Sequence, residues 1–347
     1  MGKSFSVCKL PLTTFPLAHF PSSAYIYLML NYRRMPIEIE SPEEIGYGNI
    51  RYNLAESSVK EFDISQLHLD LNQVKMEYTH HRGRPDLRKL IAKEGKHLDE
   101  RNVLLTGGAE MALYILYTSL LSKEDEVLVL FPNYSSNVEI PNALGLNYKK
   151  IQVSFDRNWK IDWDELEKRI TPKTKMISLT YPHNPTGQTL NADDIHSFTG
   201  LIEKYNLWVL VDETYRDACF MTPYPLLASH SPKMISVISF SKGMGLPGLR
   251  MGAIIHQDTI LMEKYLAAKE LIYIANPPIE EEIAYHFYKD KSVYLKKIHE
   301  GNQKNLLILK EWLQQETRVE CVLPQGGVVA FPRMVKLNLD MKLFYKK

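Results

Sequence analysis

Three apolar runs in this chain each end in polar side chains of chemically useful kinds. Lys175 to Thr180 leads into Tyr181-Pro182-His183-Asn184-Pro185-Thr186-Gly187, Leu207 to Val211 into Asp212-Glu213-Thr214-Tyr215, and Met234 to Phe240 into Ser241-Lys242. Together they supply an amide, a carboxylate, a phenol and an amine. An unprotonated lysine amine forms an imine with an aldehyde and then serves as acid or base for a proton on the neighbouring carbon. A buried carboxylate beside an aromatic ring nitrogen keeps that nitrogen protonated, so the ring withdraws electrons. An amide and a phenol donating to a ring oxygen favour its anionic form. These are the tasks that a pyridoxal ring sets a protein.

A phosphate on such a ring needs its own cradle. Thr106-Gly107-Gly108-Ala109-Glu110 places small residues where an apolar helix begins, and the unpaired N–H groups of a helix N-terminus attract phosphate. Ser239-Phe240-Ser241 adds hydroxyls, and Gly248-Leu249-Arg250 returns a guanidinium eight residues after the lysine. Arginine can grip a phosphate through two parallel hydrogen bonds. Taken singly, each of these residues is ordinary: a lone lysine is usually a surface residue, and Asn-Pro or Gly-Gly usually a turn. Their combination carries the argument.

Those side chains need a rigid frame. From about residue 86 the periodicity predicts helices over Asp86 to Lys96, Ala109 to Leu121 and Asn191 to Tyr205. Between them, Glu126 to Leu130 and the three runs named above read as short, fully buried strands. Apolar strands alternating with helices predict an α/β fold whose parallel sheet is covered on both faces, with ligands outside the carboxyl ends of the strands. Residues 35–72 are less periodic and are expected to begin a smaller domain, with 73–275 as the large domain. Residues 276–347 would return to the small domain through a helix over Lys296 to Gln314 and a strand region over Cys321 to Pro332. That small α/β domain looks incomplete at its C-terminal end.

With 45% hydrophobic and 24% charged residues and a formal net charge of +1, the chain reads as a globular protein. It carries no bulk charge to hold nucleic acid or an anionic membrane. No apolar stretch is long enough for a membrane-spanning helix. The three cysteines, Cys8, Cys219 and Cys321, match no metal or disulfide spacing, which points to a reducing compartment, the cytoplasm. Residues 1–34 lack acidic side chains and contain Pro11, Pro16 and Pro21. They read as a disordered leader, a packing arm or a targeting segment, with Met35 as an alternative start.

The run Ser239-Phe240-Ser241-Lys242-Gly243-Met244-Gly245-Leu246-Pro247-Gly248-Leu249-Arg250-Met251-Gly252 resembles the lysine-attachment signature of the class I/II aminotransferases, the fold-type I pyridoxal-phosphate enzymes. It matches at all fourteen positions. Asn184-Pro185-Thr186-Gly187 and Asp212-Glu213-Thr214-Tyr215 resemble that family's other markers, in the expected order. The resemblance spans roughly Tyr52 to Pro332. It implies pyridoxal 5'-phosphate as cofactor, in a Schiff base with Lys242, Asp212 at the ring nitrogen, and Asn184 and Tyr215 at the ring oxygen. Tyr134 would stack on the ring, and Gly108, Ala109, Glu110, Ser239 and Arg250 would hold the phosphate. Tyr78 is similar to the tyrosine that reaches the phosphate of the neighbouring subunit, which implies a homodimer. An amino acid and a 2-oxo acid would be the substrates.

A narrower similarity, to capreomycidine synthase-like proteins, rests on Tyr181-Pro182-His183-Asn184-Pro185, Gly245-Leu246-Pro247-Gly248-Leu249-Arg250 and Gly326-Gly327-Val328-Val329-Ala330-Phe331-Pro332-Arg333. A lyase or cyclase therefore stands beside transamination. Family members continue beyond the Gly-Gly-Phe region to an arginine that grips the substrate carboxylate, and Arg333 lies too close to Gly327 to fill that place. A truncated, non-catalytic protein of the same fold is the third alternative.

Overall fold

The computed structural model describes residues 30, 32–220 and 223–335. The chain divides into a unit of residues 1–30 and one of residues 31–347, and every described helix and strand belongs to the second. Expectations for the leader and for the C-terminal end beyond residue 335 lie outside the described residues.

Two single-turn helices, α1 (Pro36–Ile39) and α2 (Pro42–Ile45), precede an irregular segment that reaches α3 (Pro85–Ala92). Strands and helices then alternate: β1 (Val103–Thr106), α4 (Ala109–Leu120), β2 (Glu126–Phe131), α5 (Ser136–Ala143), β3 (Asn147–Gln152), α6 (Trp163–Arg169) and β4 (Thr174–Thr180). They continue with α7 (Ala192–Tyr205), β5 (Trp208–Asp212), β6 (Met234–Ser239), β7 (Gly252–Ile255), α8 (Thr259–Ile272), α9 (Pro278–Lys289) and α10 (Lys291–Gln315). The seven strands form one sheet in the order β1-β7-β6-β5-β4-β2-β3. Every pairing is parallel except those of β7, which runs antiparallel to both β1 and β6.

The strands are apolar on both faces because helices cover both. Val127, Val129, Leu210, Ile235 and Val237 face one core with Leu113, Leu116 and Tyr117 of α4 and Met262 and Tyr265 of α8. Their sequence neighbours Leu128, Leu130, Val209 and Val211 face another, with Phe198 and Ile202 of α7. Ile238, Ala253 and Ile255 pack with Leu87 and Ile91 of α3 and Ile283 and Phe287 of α9. A strand alternating between two buried surfaces must be hydrophobic throughout, which is the pattern of β2, β5 and β6. Helix α7 begins at a reciprocal cap: Asn191 accepts from the N–H of Asp194, and Asp194 accepts from that of Asn191, each at 2.9 Å.

The expected α/β architecture is present, with differences in detail. Strands β1, β3 and β7 were not expected. β1 is only four residues long, β7 opens on a glycine, and β3 is a polar edge strand exposed along much of its length. Helix α3 stops at Ala92, earlier than Lys96, while α10 begins at Lys291, earlier than Lys296. The strand region expected over Cys321 to Pro332 does not form. Among the described residues of this region, only Val319–Glu320 (β8) and Arg333–Met334 (β9) pair. The intervening Pro324-Gln325-Gly326-Gly327 turns instead onto the large sheet's loops, where Gln325 and Gly326 donate to the Gly187 carbonyl (2.7 and 3.0 Å) and Gly327 to that of Ala218 (3.1 Å).

Leu210 lies at the centre of β5 with no exposed surface. Leu210→Ala is expected to destabilise the protein by about 2–5 kcal/mol, as read from urea unfolding, because the surrounding strands cannot collapse into the space.

Candidate active site

The sheet register brings the chemistry together. Thr180 of β4 pairs with Asp212 of β5, and Asp212 with Val237 of β6. One step further, Ser239 pairs with Gly252, and Gly252 with Thr106 of β1. Outside this edge lies a cavity of about 710 Å³, lined by Lys242, Asp212, Asn184, Tyr215, Ala109, Glu110, Tyr134, Ser239 and Arg250. These residues come from six separate stretches of the chain.

Asp212 ends β5 with almost no exposed surface. Its Oδ1 accepts from the Thr214 N–H (3.1 Å) and hydroxyl (2.5 Å). Burial nevertheless pushes its carboxyl up to about 6, against the hydrogen bonds from Thr214 and Asn137. Behind it runs a buried polar chain: Tyr117 donates to Ser178 (2.9 Å), Ser178 to Asn137 (3.0 Å), and Asn137 Nδ2 to Thr180 (3.3 Å). Asn184 Nδ2 donates to the Tyr215 hydroxyl at 3.2 Å, and burial raises the phenol above its ordinary value. Amide and phenol thus act as one hydrogen-bonded unit.

The cradle has the geometry of an anion site. Gly108 precedes α4 with φ +92°, and no side chain caps the helix start. A Cβ on Gly108 would lie 3.1 Å from Arg250 Nη2, so the glycine leaves room for the guanidinium beside the helix N-terminus. Gly252 permits a second close approach, since a Cβ there would come within 2.7 Å of the Gly108 carbonyl carbon. The Ser239 hydroxyl accepts from the Ser241 N–H (3.1 Å), and Arg250 reaches Ser241 Oγ at 3.4 Å. The Glu110 side chain turns instead to Ser136 (2.9 Å) and Tyr134, with burial raising its carboxyl. What Glu110 can offer an anion is therefore its backbone N–H.

Tyr78 does not line the cavity and is 84% exposed. The neighbouring loop is held firmly. Buried Lys269 donates to the His81 carbonyl (2.6 Å) and to Asn276 Oδ1 (2.8 Å), and burial lowers its ammonium to about 8. Asn276 Nδ2 donates to the Thr106 carbonyl (3.2 Å), and Thr79 Oγ1 to the Asn276 carbonyl (2.7 Å). The Tyr78 loop and the glycine-lined cradle therefore share one support.

His183 is buried, with Nδ1 at Thr186 Oγ1 (2.7 Å) and Nε2 at the Pro132 carbonyl (2.8 Å). Arg333 pairs with Asp156 and Glu320 and does not line the cavity.

The cavity's other wall was not foreseen from the sequence. Arg34, Glu38, Glu40, Glu43 and Glu44, on or beside α1 and α2, face it, as do Glu56 and Ser57. Arg34 pairs with Glu44 at 3.1 Å, and Lys242 Nζ with Glu56 Oε1 at 3.4 Å. No compact motif marks these positions.

A buried acid, an accessible amine, an amide–phenol pair and a glycine-lined cradle against one arginine fit a ring that carries an aldehyde and a phosphate. The chain belongs to the aminotransferase class I and II family, whose model matches residues 46–347. Pyridoxal 5'-phosphate is the cofactor that goes with that family and with its solved structures. The chain is 25% identical over 279 residues to aspartate aminotransferase of Pyrococcus horikoshii, covering 77% of this chain and 70% of that protein. It is 26% identical over 236 residues to capreomycidine synthase of Streptomyces vinaceus, covering 67% of this chain and 60% of that protein. Its fold matches that of a PLP-dependent aminotransferase from Streptococcus suis with a TM-score of 0.83 at 23% identity, over 89% of this chain and 85% of that one.

Two outcomes are expected from this geometry. Raised above its unfolded value, the Asp212 carboxyl contributes stability below about pH 4 that is lost as the pH rises through about 6. In cofactor-free protein, Asp212→Asn is expected to remove a pH-dependent loss of about 3 kcal/mol between those limits, measured by urea unfolding across pH. Gly108→Ala is expected to cost about 1–3 kcal/mol in the same assay, because φ +92° is unfavourable for any residue with a Cβ.

Proposed function

We propose that the protein transfers the amino group of an amino acid to a 2-oxo acid, with Lys242 as the residue that holds the cofactor and moves the proton. The observation that carries this reading is the convergence of Lys242, Asp212 and Arg250 on one cavity outside the strand ends. When bound, pyridoxal phosphate supplies an electron-withdrawing ring that stabilises negative charge on the substrate's α-carbon. Asp212 would keep the ring nitrogen protonated. Asn184 and Tyr215 would donate to the ring oxygen, and Tyr134 would lie against the ring. The backbone N–H groups of Gly108, Ala109 and Glu110, the Ser239 hydroxyl and the Arg250 guanidinium would hold the phosphate. Lys242 Nζ takes the α-proton from the substrate and returns it at the other end of the transfer.

The exposure of Tyr78 supports its service to a second copy across a homodimer. In that arrangement residues 73–275 act as the large domain, with 35–72 and 276–347 as the two parts of the smaller one. A reducing, cytoplasmic setting suits free Cys219 and Cys321, and no helix among the described residues is long and apolar enough to cross a membrane. The similarity to capreomycidine synthase supports a second reading, elimination or cyclisation at the same lysine.

Borohydride treatment of the holoenzyme, followed by peptide mapping, is expected to find the cofactor fixed to Lys242. With amino donors and 2-oxo acids, a new amino acid is expected to form in step with the donor's oxo acid, and Lys242→Ala to slow this by about a thousandfold. Ammonia release without amino transfer would favour the second reading.

A further inference from the structure

Glu56 lies 186 positions before Lys242, yet its carboxylate reaches Lys242 Nζ at 3.4 Å, with the two side chains only 21% and 27% exposed. The pairing is built into the backbone. Val59 N–H donates to the Lys242 carbonyl (3.2 Å) and Phe62 N–H to that of Gly245 (2.7 Å). Gly245 takes φ +69°, and a Cβ there would come within 2.6 Å of the Lys60 carbonyl oxygen. Residues 59–62 are thus zipped to the loop that carries the lysine. Ser57, next in sequence to Glu56, hydrogen-bonds the Tyr215 phenol. One short segment therefore touches both the amine and the group placed at the ring oxygen.

We infer that Glu56 is a positioned counter-charge that keeps the Lys242 nitrogen protonated after that nitrogen has been linked to the cofactor. The inference rests on the reading of Lys242 as the cofactor's attachment point. An opposite charge at this distance favours the cationic form of a nitrogen, and partial burial limits screening by solvent. Asn184 and Tyr215, by donating to the ring oxygen, draw off part of its negative charge and favour the neutral form of the link, and Glu56 opposes them from the other side. The remaining charged groups do not duplicate Glu56. Arg250 faces the cavity from the cradle, Asp212 is held by Thr214 at the ring-nitrogen end, and Glu110 is turned to Ser136. On the outer wall Arg34 is paired with Glu44, beside Glu38, Glu40 and Glu43, and Tyr47 approaches Glu56 itself at 3.5 Å. A linkage held protonated is primed for attack by an amine.

The test is a pH titration of holoenzyme absorbance, which distinguishes the protonated, longer-wavelength form of the Lys242–cofactor link from its neutral form without any turnover. Glu56→Gln, equal in shape, is expected to lower the midpoint by about 1–3 pH units. Glu56→Asp, which keeps the charge, is expected to hold it near the wild-type value. A midpoint unchanged in E56Q, or lowered as far in E56D as in E56Q, overturns the inference. Borohydride mapping run in parallel separates the two readings. Cofactor fixed at Lys242 with an unmoved midpoint overturns only the role of Glu56, whereas no cofactor at Lys242 in wild type overturns both.

Discussion

The structure turns on a carboxylate that has been taken out of water. Asp212 ends the central strand β5 of a sheet buried on both faces, and burial pushes its carboxyl up to about 6. Hydrogen bonds from Thr214 and Asn137 offset part of that cost. The polar chain of Tyr117, Ser178, Asn137 and Thr180 sits in an otherwise apolar layer and has its partners within the protein. Such a network holds the acid in one place, because any rearrangement would strand a buried donor or acceptor.

The cradle depends on close backbone approach. At Gly108 and Gly252 the helix N-terminus, the end of β6 and the start of antiparallel β7 come nearer than side chains would allow. Arg250 sits two residues before Gly252, so the tight crossing and the guanidinium beside it belong to one stretch of chain. Lys269 and Asn276 brace this arrangement from behind and tie it to the loop next to Tyr78. A displacement at one of these places is therefore felt at the other.

The N-terminal segment completes the cavity from outside the sheet. It carries an acidic wall, with Glu56 against the lysine and Arg34 paired with Glu44. It is tied down by backbone hydrogen bonds from Val59 and Phe62 and by the Phe62 ring against Phe287 and Tyr294. That explains how an irregular stretch can hold a charged side chain in register with Lys242.

Several features were legible from the order of residues alone. The apolar runs that become β2, β4, β5 and β6 announce themselves because both of their faces are buried, and the polar residue after each run marks its carboxyl end. Lys242, Asp212, Asn184, Tyr215 and Arg250 could be named for the same reason, since a motif at a strand end is local in sequence. Tertiary structure alone decided the rest. Strand β7 runs against its neighbours, which four residues beginning at glycine cannot disclose, and the segment after Cys321 folds onto loops at Gly187 and Ala218 instead of forming a strand. The side chain of Glu110 turns away from the cradle to Ser136, and Glu56 meets Lys242 across 186 positions. Pairings of that kind arise from long-range hydrogen bonds and packing between distant segments, and those leave no period or spacing in the chain.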